Sequence, residues 1–182
     1  MVKEPRPGKV KTRLGQGIGS IGAAWWFRHQ SLRLIRQLRD PRWQLIIAVS
    51  PNREGLQSRI WPVDLMRWPQ GTGGLGQRMV GIFDGLAKGP VVIIGADIPD
   101  IQKHHIAQAF RDLGNHDAVF GPATDGGYWL VGLKRQHSCP PGLFANVRWS
   151  SKHALADSIA TLPGLRIALG ETLSDVDTVE DL

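Results

Sequence analysis

The sequence has a single cysteine, Cys139, in 182 residues. A lone thiol excludes an intrachain disulfide and a multi-cysteine metal site. No apolar run comes near the roughly 18 residues that a membrane-spanning helix needs, so no membrane partner is expected. The opening, Met1-Val2-Lys3-Glu4-Pro5-Arg6-Pro7, lacks the apolar stretch of a secretory signal. These absences lead us to expect a cytoplasmic protein. There is no internal repeat, low-complexity stretch or long linker, and one domain over 1–182 is expected. No G-x-S-x-G or comparable nucleophile motif is present, which argues against hydrolysis through a covalent serine. No nucleic-acid recognition motif or aromatic–basic repeat accompanies the net charge of +6, so nucleic acid is not expected as a partner.

What is present is a soluble-protein composition with an uneven charge. Hydrophobic residues make up 42% and charged residues 21%, enough apolar material for a real core. Residues 1–59 hold 12 Lys/Arg against 3 Asp/Glu, a balance of +9; residues 60–182 hold 10 against 13, a balance of −3. A basic first third and an acidic remainder suit a site with one wall for phosphates and another for a cation. The cations of the first helix, Arg33, Arg36, Arg39 and Arg42, read better as a solvated face.

Hydrophobic spacing predicts helices over 20–39, 75–86, 103–113 and 150–162, the last capped by Ser150 or Ser151. Strands are predicted over 45–50, 59–67, 90–97, 117–121, 128–133 and 165–169, and the tail over 175–182 starts a helix. The stretch 136–149 reads as irregular. Strands alternating with helices argue an α/β fold with a mostly parallel mixed sheet. The strands over 117–121 and 128–133 lie too close for a helical crossover and should pair antiparallel. The run Val91-Val92-Ile93-Ile94 reads as a strand buried on both faces, and it leads to Asp97 where such sheets gather ligands.

Five constellations can carry chemistry. In Gly8-Lys9-Val10-Lys11-Thr12-Arg13, cations alternate, so an extended segment would project Lys9, Lys11 and Arg13 to one side. That pattern suits a polyphosphate, with the following helix adding free N–H groups; a solvated basic loop fits the same spacing. The neighbouring Gly17-Ile18-Gly19-Ser20-Ile21-Gly22 matches G-x-G-x-x-G but lacks the preceding strand and the later acid of a dinucleotide fingerprint. The glycines of Gly71-Thr72-Gly73-Gly74-Leu75-Gly76-Gln77-Arg78 allow the backbone to approach a ligand closely. Arg78 opposes the dipole of the helix it opens, which favours a ligand role. Asp97 with Asp100, and Asp125-Gly126-Gly127-Tyr128, supply carboxylates, although Asp125 is equally a turn residue. In the tail, one aspartate can join Asp97 to hold a hard divalent ion, or Asp177 or Thr178 can cap a helix. His104 and His105 are adjacent and do not face one way on a helix, so zinc is not expected.

The opening 3–14 resembles that of an uncharacterised bacterial family in the GT-A (nucleotide-diphospho-sugar transferase) superfamily, the radical-SAM/selenodomain-associated transferase type. Gly74-Leu75-Gly76-Gln77-Arg78-Met79, Ile94-Gly95-Ala96-Asp97-Ile98-Pro99-Asp100, Asp125-Gly126-Gly127-Tyr128-Trp129, Trp149-Ser150 and the tail 175–182 continue the match. The family is similar in fold to guanylyltransferases of molybdenum-cofactor and 2-phospholactate metabolism. The resemblance implies a three-layer Rossmann-like GT-A fold, here with the first strand truncated. It implies Gly8, Lys9, Lys11 and Arg13, with Gly76 and Arg78, on a nucleotide. Asp97 and Asp177 would hold Mg²⁺ or Mn²⁺, with Asp175 as the substitute for Asp177. Lys11, Arg13 and Asp97 would be catalytic, and Asp125, Gly126, Gly127, Tyr128, Trp149 and Ser150 would lie toward a small-molecule acceptor. The chain departs from the family at Gly74, usually Asp, and at Val179, usually Pro. The implied function is a metal-dependent nucleotidyltransferase-like enzyme. The alternatives are a glycosyltransferase using a nucleotide sugar and a non-catalytic nucleotide-binding module. Seven tryptophans leave room for an aromatic homodimer interface.

Overall fold

Strand β2 (Ile47–Ser50) is buried along its whole length, as a continuous apolar stretch between parallel neighbours should be. It pairs in parallel with β1 (Val2–Lys3) at Val2↔Val49 and with β3 (Arg67–Pro69) at Ala48↔Trp68, giving the order β1-β2-β3. Parallel neighbours need crossovers, and helices α1 (Leu14–Gln37) and α2 (Asn52–Gln57) lie in the two connections. Strand β1 is two residues long and held in register on β2. Gln70, buried, helps to hold it by donating its side-chain amide to the carbonyls of Val2 (2.9 Å) and Ala48 (2.8 Å).

The computed structural model describes residues 1–136 and 138–182; residue 137, inside the stretch expected to be irregular, lies outside the described residues. The chain forms two compact units. One comprises Met1–Gln70, Gly95–Lys103 and Asp175–Leu182; the other comprises Gly71–Ile94 and His104–Ser174. In the first, Val2, Val49 and Ala96 pack with Phe27 and Ile35 of α1 and with Trp61. Helix α1 thus buries the face that carries Ala24, Phe27, Leu34 and Ile35. The helix begins at Leu14 rather than near residue 20 and is broken at Gly19, whose φ of 79° and ψ of 152° are not helical.

The expected strand over 59–67 is confined to its end. Pro62 cannot donate to a ladder, and the end of α2 with the loop over 58–61 is gathered on Arg67. Its guanidinium donates to the carbonyls of Leu56 (2.8 Å), Ser58 (2.7 Å) and Trp61 (2.8 Å).

The second unit holds a mixed sheet of order β4-β6-β5-β7, with β4 (Val91–Ile94), β5 (Ala118–Pro122), β6 (Tyr128–Leu133) and β7 (Ile167–Leu169). The pair β5–β6 is antiparallel, as its short connection requires, and β5–β7 is parallel. Strand β4 pairs antiparallel with β6 and is only half-buried apart from Ile93, so it is not the doubly covered strand its apolar run suggests. Helices α3 (Leu75–Gly85), α4 (Lys103–Asn115) and α5 (Ala154–Ala160) complete the described helices. Helix α5 starts later than expected because Ser151 is engaged in a preceding turn: its hydroxyl donates to Arg148 O (2.6 Å) and accepts from His153 N. No described helix is long and apolar enough to cross a membrane.

Candidate functional site

The first unit gathers three carboxylates and two cations. Asp97 lies three residues beyond β4, in a loop whose Ile98 and Ile101 are buried. The tail reaches it through Val176, which is buried against Leu14 and Ala23 of α1 and donates its N–H to Asp97 O (3.2 Å). Asp175 and Asp177 flank Val176 in the chain and meet Asp97. One carboxylate oxygen from each of the three lies within 4.8 Å of the others. Asp100 is exposed and is not part of this group.

Asp177 does not cap the tail. The cap of the terminal 3-10 turn (Val179–Asp181) is Thr178 together with Asp181, whose Oδ2 accepts from the N–H groups of Asp177 (3.0 Å) and Thr178 (2.7 Å). The carboxylate of Asp177 is left for the basic loop. Lys11 Nζ sits 2.7 Å from Asp97 Oδ2 and 2.7 Å from Asp177 Oδ1, and Arg13 Nη1 donates to Asp177 Oδ2 at 3.1 Å. Burial works against the charged ammonium of Lys11, but attraction to Asp97 and hydrogen bonds to Asp177 and Asp97 outweigh it, and its pKa is raised.

The loop is not the extended segment that the alternation suggests. Residues 7–10 form a turn, and Lys11 has a left-handed backbone with φ of 44°, a conformation that costs an ordinary residue about 1–2 kcal/mol. Lys11 is directed to the acids with its side chain 6% exposed, Arg13 remains 68% exposed, and Lys9 lies on the surface with Gly8. Helix α1 begins directly after the loop, and its first turn contains no acid.

The tail also depends on a glycine. A β-carbon at Gly17 would lie 2.1 Å from Val179 Cγ2, a contact that a stiff β-branched side chain cannot relieve by simple rotation. Gly17→Ala is therefore expected to lower stability by about 1–3 kcal/mol, the usual cost of overpacking. Urea unfolding of the variant measures it, and an unchanged midpoint would refute the close approach.

This oxygen-rich set fits a hard divalent cation, which takes carboxylates and completes its shell with water and phosphate oxygens. Three carboxylates against Lys11 and Arg13 leave the group at −1; a divalent ion would bring it to +1.

The other sequence-predicted residues lie in the second unit. Arg78 folds back so that Nε donates to Gly73 O (2.9 Å), and Gln77 Oε1 accepts from Gly74 N (2.9 Å). Arg78 thus stitches its own glycine loop. Gly76 is buried, and a β-carbon there would lie 2.8 Å from Phe144 Cβ and 3.1 Å from Trp149 Cζ2; packing accounts for this glycine. Asp125 Oδ1 accepts from Gly127 N at 2.8 Å, a turn of its own making. Gly126 lies against Lys152 and accepts from Leu155 N. Tyr128 stands edge-on to Phe120 and Trp149, and its hydroxyl accepts from Ser158 Oγ (3.2 Å). Burial raises its pKa. Ser150 is exposed, with φ of 56°.

One group was missed by sequence reasoning. The rings of His104 and His105 lie 3.9 Å apart, and both approach Glu171. Adjacency did not keep them apart, because at a helix start two long side chains can bend toward a third partner supplied by a loop. The pairing with Glu171 across 66 positions had no local signal.

A model of a bacterial family described as an uncharacterized protein conserved in bacteria, DUF2064, matches residues 33–151. A candidate nucleotide-diphospho-sugar transferase from Desulfovibrio desulfuricans G20 is similar over 99% of this chain and 81% of its own, at 33% identity and a TM-score of 0.83. The homolog of Mycobacterium tuberculosis Rv0371c from Mycobacterium sp. strain JC1 aligns over 85% of this chain and 78% of its own (13% identity, TM-score 0.55). A 4-diphosphocytidyl-2C-methyl-D-erythritol synthase from Anaerococcus prevotii DSM 20548 aligns over 85% and 84% (8% identity, TM-score 0.57). At such identities the last two speak to the fold alone. The Rossmann-like transferase fold expected from the sequence is borne out. No curated protein matches the chain.

Proposed function

For a chain that belongs to the bacterial family DUF2064, we propose a metal-dependent transferase that uses a nucleotide, of nucleotidyltransferase type. The reading rests on one observation: three carboxylates from two distant segments share a cluster with Lys11 and Arg13. Asp97 and Asp177 would hold Mg²⁺ or Mn²⁺, with Asp175 beside them. When bound, that ion would neutralise phosphate charge and polarise a phosphoryl oxygen.

The chain's own residues do the rest. Lys11 shares both carboxylates in the absence of an ion; released from them, it can donate to nucleotide phosphates. Arg13, exposed beside Asp177, and Lys9, on the surface of the same loop, add donors that stabilise charge developing on those phosphates. An oxygen of a small acceptor attacks the α-phosphorus of a nucleoside triphosphate, the new P–O bond forms, and pyrophosphate leaves. Positioning and electrostatics suffice, with no covalent protein intermediate.

A second reading is favoured by the description of the Desulfovibrio protein at 33% identity: glycosyl transfer from a nucleotide sugar, with the same acids neutralising the diphosphate leaving group. Thermal-shift titration with nucleoside triphosphates and UDP- or GDP-sugars, with and without Mn²⁺, separates the two. Metal-dependent stabilisation by triphosphates supports the first, and stabilisation confined to nucleotide sugars supports the second. Binding indifferent to Mn²⁺ sinks the metal role in both.

A further inference from the structure

We infer that His104, His105 and Glu171 form a second metal site, for a divalent ion of the Zn²⁺ class, within the second unit. One ligand atom from each residue lies within 4.8 Å of the others, and His105 Nε2 is 3.1 Å from Glu171 Oε2. In a tetrahedral zinc site, with metal–ligand distances near 2.0–2.2 Å, ligand atoms stand about 3.3–3.5 Å apart. One edge of the set is already near that spacing. His104 and Glu171 are exposed and free to close the remainder by side-chain rotation, while His105 is fixed.

A buried indole supports this set. Trp129, 3% exposed, donates Nε1–H to Glu171 O (3.0 Å) and places its ring edge-on to His105, with centroids 5.7 Å apart. One buried indole therefore fixes both the backbone that carries the carboxylate and the plane of the less mobile imidazole. Groups that orient metal ligands in this way raise affinity. The three residues also line a cavity of about 140 Å³ together with Asp112, Gly121 and Trp129. A water needs roughly 30 Å³, so the cavity can complete an ion's shell with water or a small anion.

Ligand chemistry separates this site from the acids of the first unit. Two imidazoles and one carboxylate match the His₂Glu sets that hold zinc with a position left open, and imidazole suits Zn²⁺, Cu²⁺ or Ni²⁺ rather than Mg²⁺. The ion would tie the start of α4 to the segment after β7.

The test is equilibrium dialysis against Zn²⁺ alone, read by metal analysis, with Co²⁺ absorption as a report of coordination geometry. The wild-type chain should take up one equivalent at this site. His104→Ala and Glu171→Gln, at exposed positions that leave the core intact, should each weaken uptake tenfold or more and abolish the tetrahedral Co²⁺ spectrum. A variant carrying Asp97→Asn and Asp177→Asn should bind Zn²⁺ as wild type does. Absence of saturable binding overturns the inference. So does uptake that survives both His104→Ala and Glu171→Gln, or that disappears only with the aspartates.

Discussion

On the proposed metal-dependent reading, Mn²⁺ with a nucleoside triphosphate should stabilise the wild-type chain, and Asp97→Asn is expected to remove that stabilisation. A ligand present at about 100 times its dissociation constant stabilises a fold by roughly 2.7 kcal/mol, which for a chain of this length is a shift of roughly 5–10 °C in Tm. The substitution keeps the shape of the side chain and removes the charge that a hard cation requires. Because Lys11 also loses a partner at 2.7 Å, the comparison is the ligand-induced shift within each variant rather than Tm itself. Asp177→Asn should lose the shift to the same degree, and Asp175→Asn to a smaller one. Equal losses at Asp175 and none at Asp177 would exchange their roles. A full shift in Asp97→Asn would remove the ion from the cluster altogether.

Lys11→Met is expected to do the opposite for the bare ion. Its ammonium stands between Asp97 and Asp177, so an ion at the proposed site would have to displace a cation in the wild-type chain but not in the variant. Without metal, the variant should be less stable by about 1–2 kcal/mol; the carboxylates, roughly a third exposed, keep enough water to limit the loss. Added divalent metal should then stabilise the variant more than the wild type, while triphosphate should add less because the proposed phosphate donor is gone. The same competition has a pH dependence. The pKa of Lys11 is raised above 10.5, so its contribution to stability is complete below that value and fades as pH rises through the raised one. Urea midpoints taken from neutral to strongly alkaline pH should converge for wild type and Lys11→Met. Metal stabilisation confined to the wild type would mean that lysine and metal do not compete.

The sequence was most legible where a local rule had no competitor. The apolar spacing of α1, the antiparallel pairing of β5 with β6, and the acid beyond β4 follow from periodicity and short connections. The glycines at 15, 17, 19 and 22 concealed the true start of α1, because packing of Leu14 and Ala23 against Val176 overrides poor helix propensity. In the site, the alternating cations suggested one extended cationic edge. The backbone at Lys11 turns left-handed instead and sends only that lysine to the acids. The association of Asp97 with the tail could be anticipated, but not the part played by Val176. Residues separated by about 80 positions carry no periodic signal of their meeting.

The first unit is assembled from three separated stretches, and the bond between Lys11 and Asp177 spans 166 positions. Order of synthesis follows from this. All four strands of the second unit leave the ribosome before Asp175 does. A nascent chain at that stage carries the basic loop and Asp97 but not the tail carboxylates. The cluster of three carboxylates is thus incomplete until residues 175–177 have been made.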